Sequence, residues 1–381
     1  MYQRTLQAII EKQLHKGKVI VIYGARQVGK TTLVQAIIGN NPTGALYLDC
    51  DLLRNREALE HQDEIKLKQF LGNVTLLVLD EAQRVRDIGL VLKILHTYMP
   101  DTQIIATGSS SFELANTINE PLTGRVLDYL LLPLSYEELL SESNPIEIKS
   151  EIDSVLRFGS YPDIVHLSET DKDLYLQKLA NNYLYKDILE YERIKKPEQL
   201  LKILQLLALQ IGSEVSFAEI GTQLGLNTVT MQRYIDLLEK TYVIFHLSAF
   251  SRNLRKEISK SKKIYFWDLG IRNALIQNFN PLPLRSDAGA LWENYCISER
   301  LKLNDHHQIV ANHFFWRTYD QQEIDLLEEK QGKLNAYECK LNTRAKTTTP
   351  RIFLESYPGS SYSIVSQETV STFLLPSDTS A

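Results

Sequence analysis

The chain has 381 residues, 44% of them hydrophobic, which is more than one core usually organises and sets an expectation of two or three domains. Its 42 basic and 47 acidic residues leave a formal charge of -5, which excludes a protein that coats nucleic acid through bulk positive charge, so any nucleic-acid site has to be local. Three scattered cysteines, Cys50, Cys296 and Cys339, argue against a disulfide framework or a zinc cluster, and with no run of about 18 apolar residues and no apolar leader the expected location is cytoplasmic, without a membrane span.

A first helix carries Leu6, Ile9, Ile10 and Leu14 on one face and is expected to end at Gly17. The apolar run Val19 to Tyr23 reads as a buried strand. Further short runs follow at Ala45 to Leu48, Val74 to Leu79, Ile104 to Ala106 and Tyr129 to Leu132, with helical patterns between them. Strands alternating with helices predict a mainly parallel sheet covered on both faces. Ser135-Tyr136-Glu137-Glu138 is a capping-box pattern, and the first domain is expected to span residues 1–165. Helical spacing dominates a linker or lid at 166–210. A region at 211–283 holds two short helices in a tight turn, the first opening at Ser216 and stopping at Gly225, the second capped by Asn227 and reaching Lys240. Strands expected at Val243 to Phe250 and Lys263 to Trp267 complete the pattern of a winged helix. The last region, 284–381, has a helix through Trp292 to Leu303 and strands around Phe314 to Arg317, Ile324 to Leu327 and Ala336 to Cys339.

The clearest motif is Gly24-Ala25-Arg26-Gln27-Val28-Gly29-Lys30-Thr31, a phosphate-binding loop between a strand and the helical run from Thr32 to Ile38. Its glycines let the backbone wrap phosphates closely at a helix N-terminus, Lys30 reaches the β- and γ-phosphates of ATP, and Thr31 ligates Mg2+. The second motif, Leu76 to Glu81, delivers two carboxylates from the end of an apolar strand. Asp80 is expected to hold the Mg2+ shell and Glu81 to orient and deprotonate the attacking water. Ser109, after a later strand, is the expected γ-phosphate sensor. Arg125 is the best candidate for a cation acting on the developing charge, within the chain or across a subunit interface, with a plain surface arginine as its alternative. Arg26 and Arg84 are weaker candidates for that role.

The segments Gly24 to Thr32, Leu79-Asp80-Glu81-Ala82-Gln83-Arg84-Val85, Thr107 to Ser111 and Leu122-Thr123-Gly124-Arg125 resemble a widespread prokaryotic AAA-type ATPase family with a C-terminal domain of unknown function. The likeness continues through Phe158-Gly159-Ser160-Tyr161-Pro162, Tyr185 to Ile188 and Lys263 to Gly270, and so covers nearly the whole chain. It implies an α/β fold with an AAA+ type P-loop sheet, then a winged helix and a C-terminal fold similar to restriction-type nucleases. Ala82 stands where that family often has isoleucine.

In the second short helix the spacing buries Met231, Ile235 and Leu238 and leaves Thr230, Gln232 and Arg233 outward, where they can face a major groove. The following segment supplies Arg252, Arg255, Lys256, Lys260, Lys262 and Lys263, a basic wing suited to DNA phosphates. The alternative is a solvated hairpin on a winged helix that serves as an ATPase lid or a protein contact. In the C-terminal region Asp325 with Glu338-Cys339-Lys340 has the form of the D...E-x-K core of metal-dependent nucleases, with Glu293 as the acid contributed by an early helix. Asp325 and Glu338 would then hold a second metal, and Lys340 would steady water or phosphate. Solvated charges on a hairpin edge, or an inactive fold kept for binding, are the alternatives.

Together these readings lead to an ATP-hydrolysing homo-oligomer, a ring among its arrangements, that engages branched or single-stranded DNA. A nucleotide-dependent switch acting on a protein partner and an ATP-gated nuclease are the rivals.

Overall fold

The computed structural model describes residues 2–61, 63–109, 122–141, 147–192, 197–251, 262–318, 322–342 and 351–376. These divide into two compact units, 1–132 with 240–242, and 133–239 with 243–381.

The first unit begins with helix α1 (Thr5–Glu11), which stops short of the expected Gly17 and gives way to turns. Strand β1 (Val19–Tyr23) follows, then α2 (Lys30–Asn40), β2 (Ala45–Asp49), α3 (Leu53–Leu59), α4 (Glu64–Leu71), β3 (Leu76–Asp80), α5 (Ile88–Tyr98), β4 (Gln103–Gly108) and β5 (Val126–Leu130). The five strands form one sheet in the order β2-β3-β4-β1-β5, and every neighbouring pair is parallel. Strands β1, β3 and β4 are buried along their whole length, which is why they read as unbroken apolar runs. Val21, Leu79 and Ala106 pack in one core with Leu92 and Leu95 of α5.

The second unit opens with α6 (Tyr136–Leu140), whose N-terminus is the expected capping box of Ser135 and Glu138. It continues through α7 (Glu147–Phe158), α8 (Pro162–Val165), α9 (Glu169–Glu192) and α10 (Pro197–Leu209). The stretch expected to close the first domain near residue 165 therefore packs in the second unit. The contacts that bind it there are specific. Asp268 accepts from Ser160 N at 2.8 Å, and Asn273 Nδ2 donates to the carbonyls of Leu156 and Arg157 at 3.0 and 2.8 Å. Gly159 lies so close to Asp268 that an added Cβ would stand 2.2 Å from its Oδ1, and at φ 74 it occupies the left-handed region as well.

A short strand β6 (Glu214–Val215), the helix pair α11 (Phe217–Leu224) and α12 (Thr228–Lys240), and strands β7 (Ile244–Ala249) and β8 (Lys262–Phe266) come next. Ser216 accepts from Glu219 N, Gly225 ends α11 at φ 65, and Asn227 accepts from Thr230 N at 2.8 Å, all as the cap residues suggest. After α13 (Leu269–Leu275) and α14 (Ala288–His306), strands β9 (Asn312–Arg317), β10 (Glu323–Lys330), β11 (Lys333–Cys339) and β12 (Ser361–Val365) alternate with α15 (Arg351–Ser356) and precede α16 (Val370–Leu374). One seven-stranded sheet, in the order β12-β11-β10-β9-β7-β8-β6, contains all of them. Strand β7 lies parallel to β9 through Ser248↔Phe314 and Ala249↔Phe315, so the boundary expected at 283/284 runs through a continuous sheet. Local apolar patterns cannot reveal this, because pairing between distant strands leaves no periodic trace in either of them.

Candidate functional site

The parallel register of the first sheet brings the expected ATP-site residues to one rim. Tyr23 pairs with Gly108, Leu79 with Ala106 and Asp49 with Asp80, so β1, β2, β3 and β4 end together. In open parallel sheets the crevice beyond the strand C-termini is where ligands bind. The loop Gly24 to Gly29 leaves β1 at that rim and enters α2. A Cβ on Gly24 would stand 2.1 Å from Leu131 O, so only glycine fits, and Gly29, the residue preceding α2, has φ 94. Lys30 is buried and its Nζ donates to the carbonyls of Gly24 and Ala25 at 2.8 and 2.9 Å, closing the loop on itself. Val28 is buried, Arg26 half-buried, and Gln27, Thr31 and Thr32 are exposed.

Two residues that carry no motif support this rim. Buried Arg4 donates from Nη1 to Val28 O and from Nη2 to Leu132 O, each at 2.6 Å, and so braces the loop from below. Tyr47 of β2 donates its hydroxyl to Asp80 Oδ2 at 2.6 Å, and burial together with the Asp80 bond pushes the phenol up, which keeps it a donor.

Asp80 is buried and is the meeting point of the site. Thr31 Oγ1 donates to its Oδ2 at 2.7 Å, and Thr107 Oγ1 donates to its Oδ1. The hydroxyl and carboxylate expected to share a Mg2+ ion are thus already adjacent. Glu81 sits at φ 52, in the left-handed region, with its backbone N–H donating to Thr107 Oγ1 at 3.0 Å. Gln83 Nε2 donates to Glu81 Oε2 at 2.5 Å and to Ser109 Oγ at 3.1 Å, so the expected base and the expected sensor are joined by one side chain.

Two of the expected arginines lie elsewhere. Arg84 pairs with Asp51 at 3.2 Å. Arg125 is exposed, and its carbonyl accepts from Val19 N at the start of β1. The loop begins at the other end of that strand, roughly 16 Å away at about 3.3 Å per residue. Arg125 does not reach the phosphate loop of its own chain.

In the second unit, Thr230 is half-buried, Arg233 is exposed, and Gln232 Nε2 donates to Asp236 at 2.7 Å. Arg252, Arg255, Lys256 and Lys260 lie outside the described residues. Lys262 is half-buried on β8. Lys263 is not the phosphate contact expected of it. It points inward, only 1% exposed, and its Nζ pairs with Glu293 at 3.1 Å and with Glu323. The side-chain alternation of a strand turns two successive lysines to opposite faces.

Lys263 also changes the reading of the acids. Asp325, Glu293 and Glu338 do come together, and burial with the charges of Glu293 and Glu338 pushes Asp325 well above the usual carboxylate range. The cation among them, however, is the ammonium of Lys263, which Glu293, Asp325 and Glu323 hold in its charged form against the opposing effect of burial. Glu293 also accepts from Tyr265 OH at 2.7 Å, Asp325 from Cys339 N at 2.8 Å, and Glu338 pairs with Lys340 at 2.6 Å. Among the described residues no group of three His, Cys, Asp or Glu side chains stands close enough to hold a metal ion. Asp325 and Glu338, the residues expected to hold a second metal, face Lys263 and Lys340 here. All three cysteines are free and buried, and no described helix is long and apolar enough to cross a membrane.

Residues 16–140 match the family model described as AAA domain, 149–282 a domain of unknown function (DUF8612), and 288–374 a domain of unknown function (DUF4143). An uncharacterized protein of Mycobacterium tuberculosis is 27% identical over 355 residues, 92% of this chain and 75% of the relative. One of Methanocaldococcus jannaschii is 27% identical over 300 residues, 68% of this chain and 63% of the relative. Among solved structures, the chain is similar to the Thermotoga maritima RuvB Holliday junction branch migration motor, at 15% identity over 64% of this chain and 89% of that one, with a TM-score of 0.32. It is also similar to a DNA replication initiation factor, at 19% identity over 62% and 87% of the two chains and a TM-score of 0.26.

Proposed function

We propose that this chain, whose residues 16–140 match the AAA domain model, binds ATP with Mg2+, hydrolyses it, and works on DNA as an assembly of identical subunits. The observation that carries the ATPase reading is the convergence on Asp80 of Thr31 Oγ1 at 2.7 Å and Tyr47 OH at 2.6 Å, one residue before Glu81. Backbone N–H groups from Gly24 to Thr31 and the Lys30 ammonium would hold the phosphates, and Thr31 with Asp80 would hold the cation. Bound there, Mg2+ neutralises charge on the phosphates during transfer. Glu81 takes the proton of the attacking water on the carboxylate oxygen that Gln83 does not engage. Arg125, remote from its own loop, serves the site of a neighbouring copy.

DNA engagement is assigned to α12, through Thr230, Gln232 and Arg233, and to the basic residues Arg252, Arg255, Lys256, Lys260 and Lys262. Phosphate turnover is to be measured for the wild type, Lys30→Ala and Glu81→Gln, each with and without branched and single-stranded DNA. Turnover that vanishes in both variants and rises with DNA supports the proposal. Undiminished turnover in Glu81→Gln removes the base assignment, and turnover indifferent to DNA favours a switch acting on a protein partner. Arg125→Ala is expected to lose activity alone and to regain it when mixed with Lys30→Ala subunits, which supply the arginine in trans.

A further inference from the structure

The turn after Glu81 holds an amide in an unusual position. Residues Ala82 to Arg84 form one 3-10 turn, with Arg84 N donating to Glu81 O and Val85 N to Ala82 O, both at 3.0 Å. Ala82 and Val85 are buried and anchor it, so Gln83 between them folds back over Glu81. The orientation of its amide follows from chemistry. An ionised carboxylate only accepts hydrogen bonds, so the atom 2.5 Å from Glu81 Oε2 is the nitrogen. Its second N–H serves Ser109 Oγ at 3.1 Å. The oxygen is thereby committed to a different direction. It is buried and accepts from no group among the described residues, a costly condition for an amide carbonyl.

We infer that Gln83 is a positioning residue for the base, its amide N–H groups holding the Glu81 carboxylate beside Ser109. With its Oε1 buried and given no hydrogen bond among the described residues, the orientation of the amide is set by these two partners alone. The amide N–H groups thereby tie the base to Ser109, so that a hydroxyl touching the γ-phosphate fixes the carboxylate through a single side chain. The inference rests on the ATPase reading given above and adds a residue to it.

The test separates the two. In Gln83→Leu, which keeps the bulk and removes both polar functions, kcat is expected to fall about 10- to 100-fold, the range that misplacing a reacting group by an ångström commands. KM for ATP and the Kd of a fluorescent ATP analogue are expected to stay within about threefold, since the hydrogen bonds of Gln83 run to Glu81 and Ser109 and not to Lys30 or Asp80. Adding Ser109→Ala to Gln83→Leu is expected to cost less than Ser109→Ala costs in the wild type, because the bridge is already broken. Should Gln83→Leu fail to fold, Gln83→Asn, whose amide is too short to span both partners, gives the same reading. Unchanged kcat in a folded Gln83 variant overturns the inference, and so does a loss of kcat matched by an equal loss of nucleotide affinity, provided the wild type hydrolyses ATP and Glu81→Gln does not. A wild type without turnover, or an active Glu81→Gln, overturns the ATPase reading and this inference with it.

Discussion

Asp80 accepts from three hydroxyls, those of Thr31, Tyr47 and Thr107, and each orients the carboxylate proposed to meet the cation. Removing one leaves two, so Tyr47→Phe is expected to weaken Mg-ATP binding by roughly 3- to 10-fold, about 1 kcal/mol for one hydrogen bond, as measured by titration calorimetry. Wild-type affinity in that variant would show that Tyr47 is ornamental to the site. Lys263 stands among Glu293, Glu323 and Asp325 with almost no exposure. Lys263→Ala strands buried acids without their cation and is expected to cost about 3–5 kcal/mol of unfolding free energy in denaturant titrations. A loss under about 1 kcal/mol would mean that the cluster relaxes or takes up another cation. At this scale the sequence points to Lys30, Thr31 and Asp80 because their motifs repeat a known pattern, and the structure brings Thr31 and Asp80 side by side. The sequence is silent at Arg4 and Tyr47, because a single arginine or tyrosine gains its role from strands and loops that only the fold brings near.

Among the elements, the strands buried on both sides, β1, β3 and β4, were readable as apolar runs, and helix starts were readable where a side chain caps them, as at Ser135, Ser216 and Asn227. Strand β12, Ser361–Val365, was not, since it lies at the sheet edge with only Val365 buried and offers no alternation to detect. Just before α14, Asp287 binds Arg285 through both carboxylate oxygens at 2.8 Å and Arg272 at 2.5 Å. Burial alone would raise its pKa, but the two guanidinium groups outweigh that and hold it at about 2. The folded value lies below the unfolded one, so this stabilisation is complete above about pH 4 and is lost as pH falls towards 2, with a size near 2 kcal/mol. Asp287→Asn is therefore expected to be less stable than the wild type at pH 7, with the gap narrowing by pH 3 in parallel urea titrations. A gap independent of pH would place the cost of the variant in packing.

For the molecule as a whole, a net charge of -5 makes any grip on DNA a local matter of the basic residues before and at the start of β8. Each of Arg252, Arg255, Lys256, Lys260 and Lys262 that contacts a phosphate is expected, on replacement by alanine, to reduce the slope of log affinity against log salt by about 0.7 to 0.9. Lys263 is expected to leave that slope unchanged because it faces the interior. Anisotropy measurements with labelled DNA across a salt series decide this, and a slope unaffected by all five replacements would move the DNA contact elsewhere.

The pairing of β7 with β9 has a consequence for where this chain can be cut. The two matched regions of unknown function, 149–282 and 288–374, are separate in sequence, yet the hydrogen-bond ladder stitches one to the other, and Lys263 of the first neutralises Glu293 of the second. A fragment starting at residue 288 would bare the β9 edge carrying Phe314 and Phe315 and leave Glu293 and Asp325 without their lysine. Open apolar edges recruit other chains, so that fragment is expected to precipitate when expressed alone, whereas one starting at 133 keeps the ladder whole. The two regions thus share one continuous sheet, and a cut between them divides both a hydrogen-bond ladder and a buried ion pair.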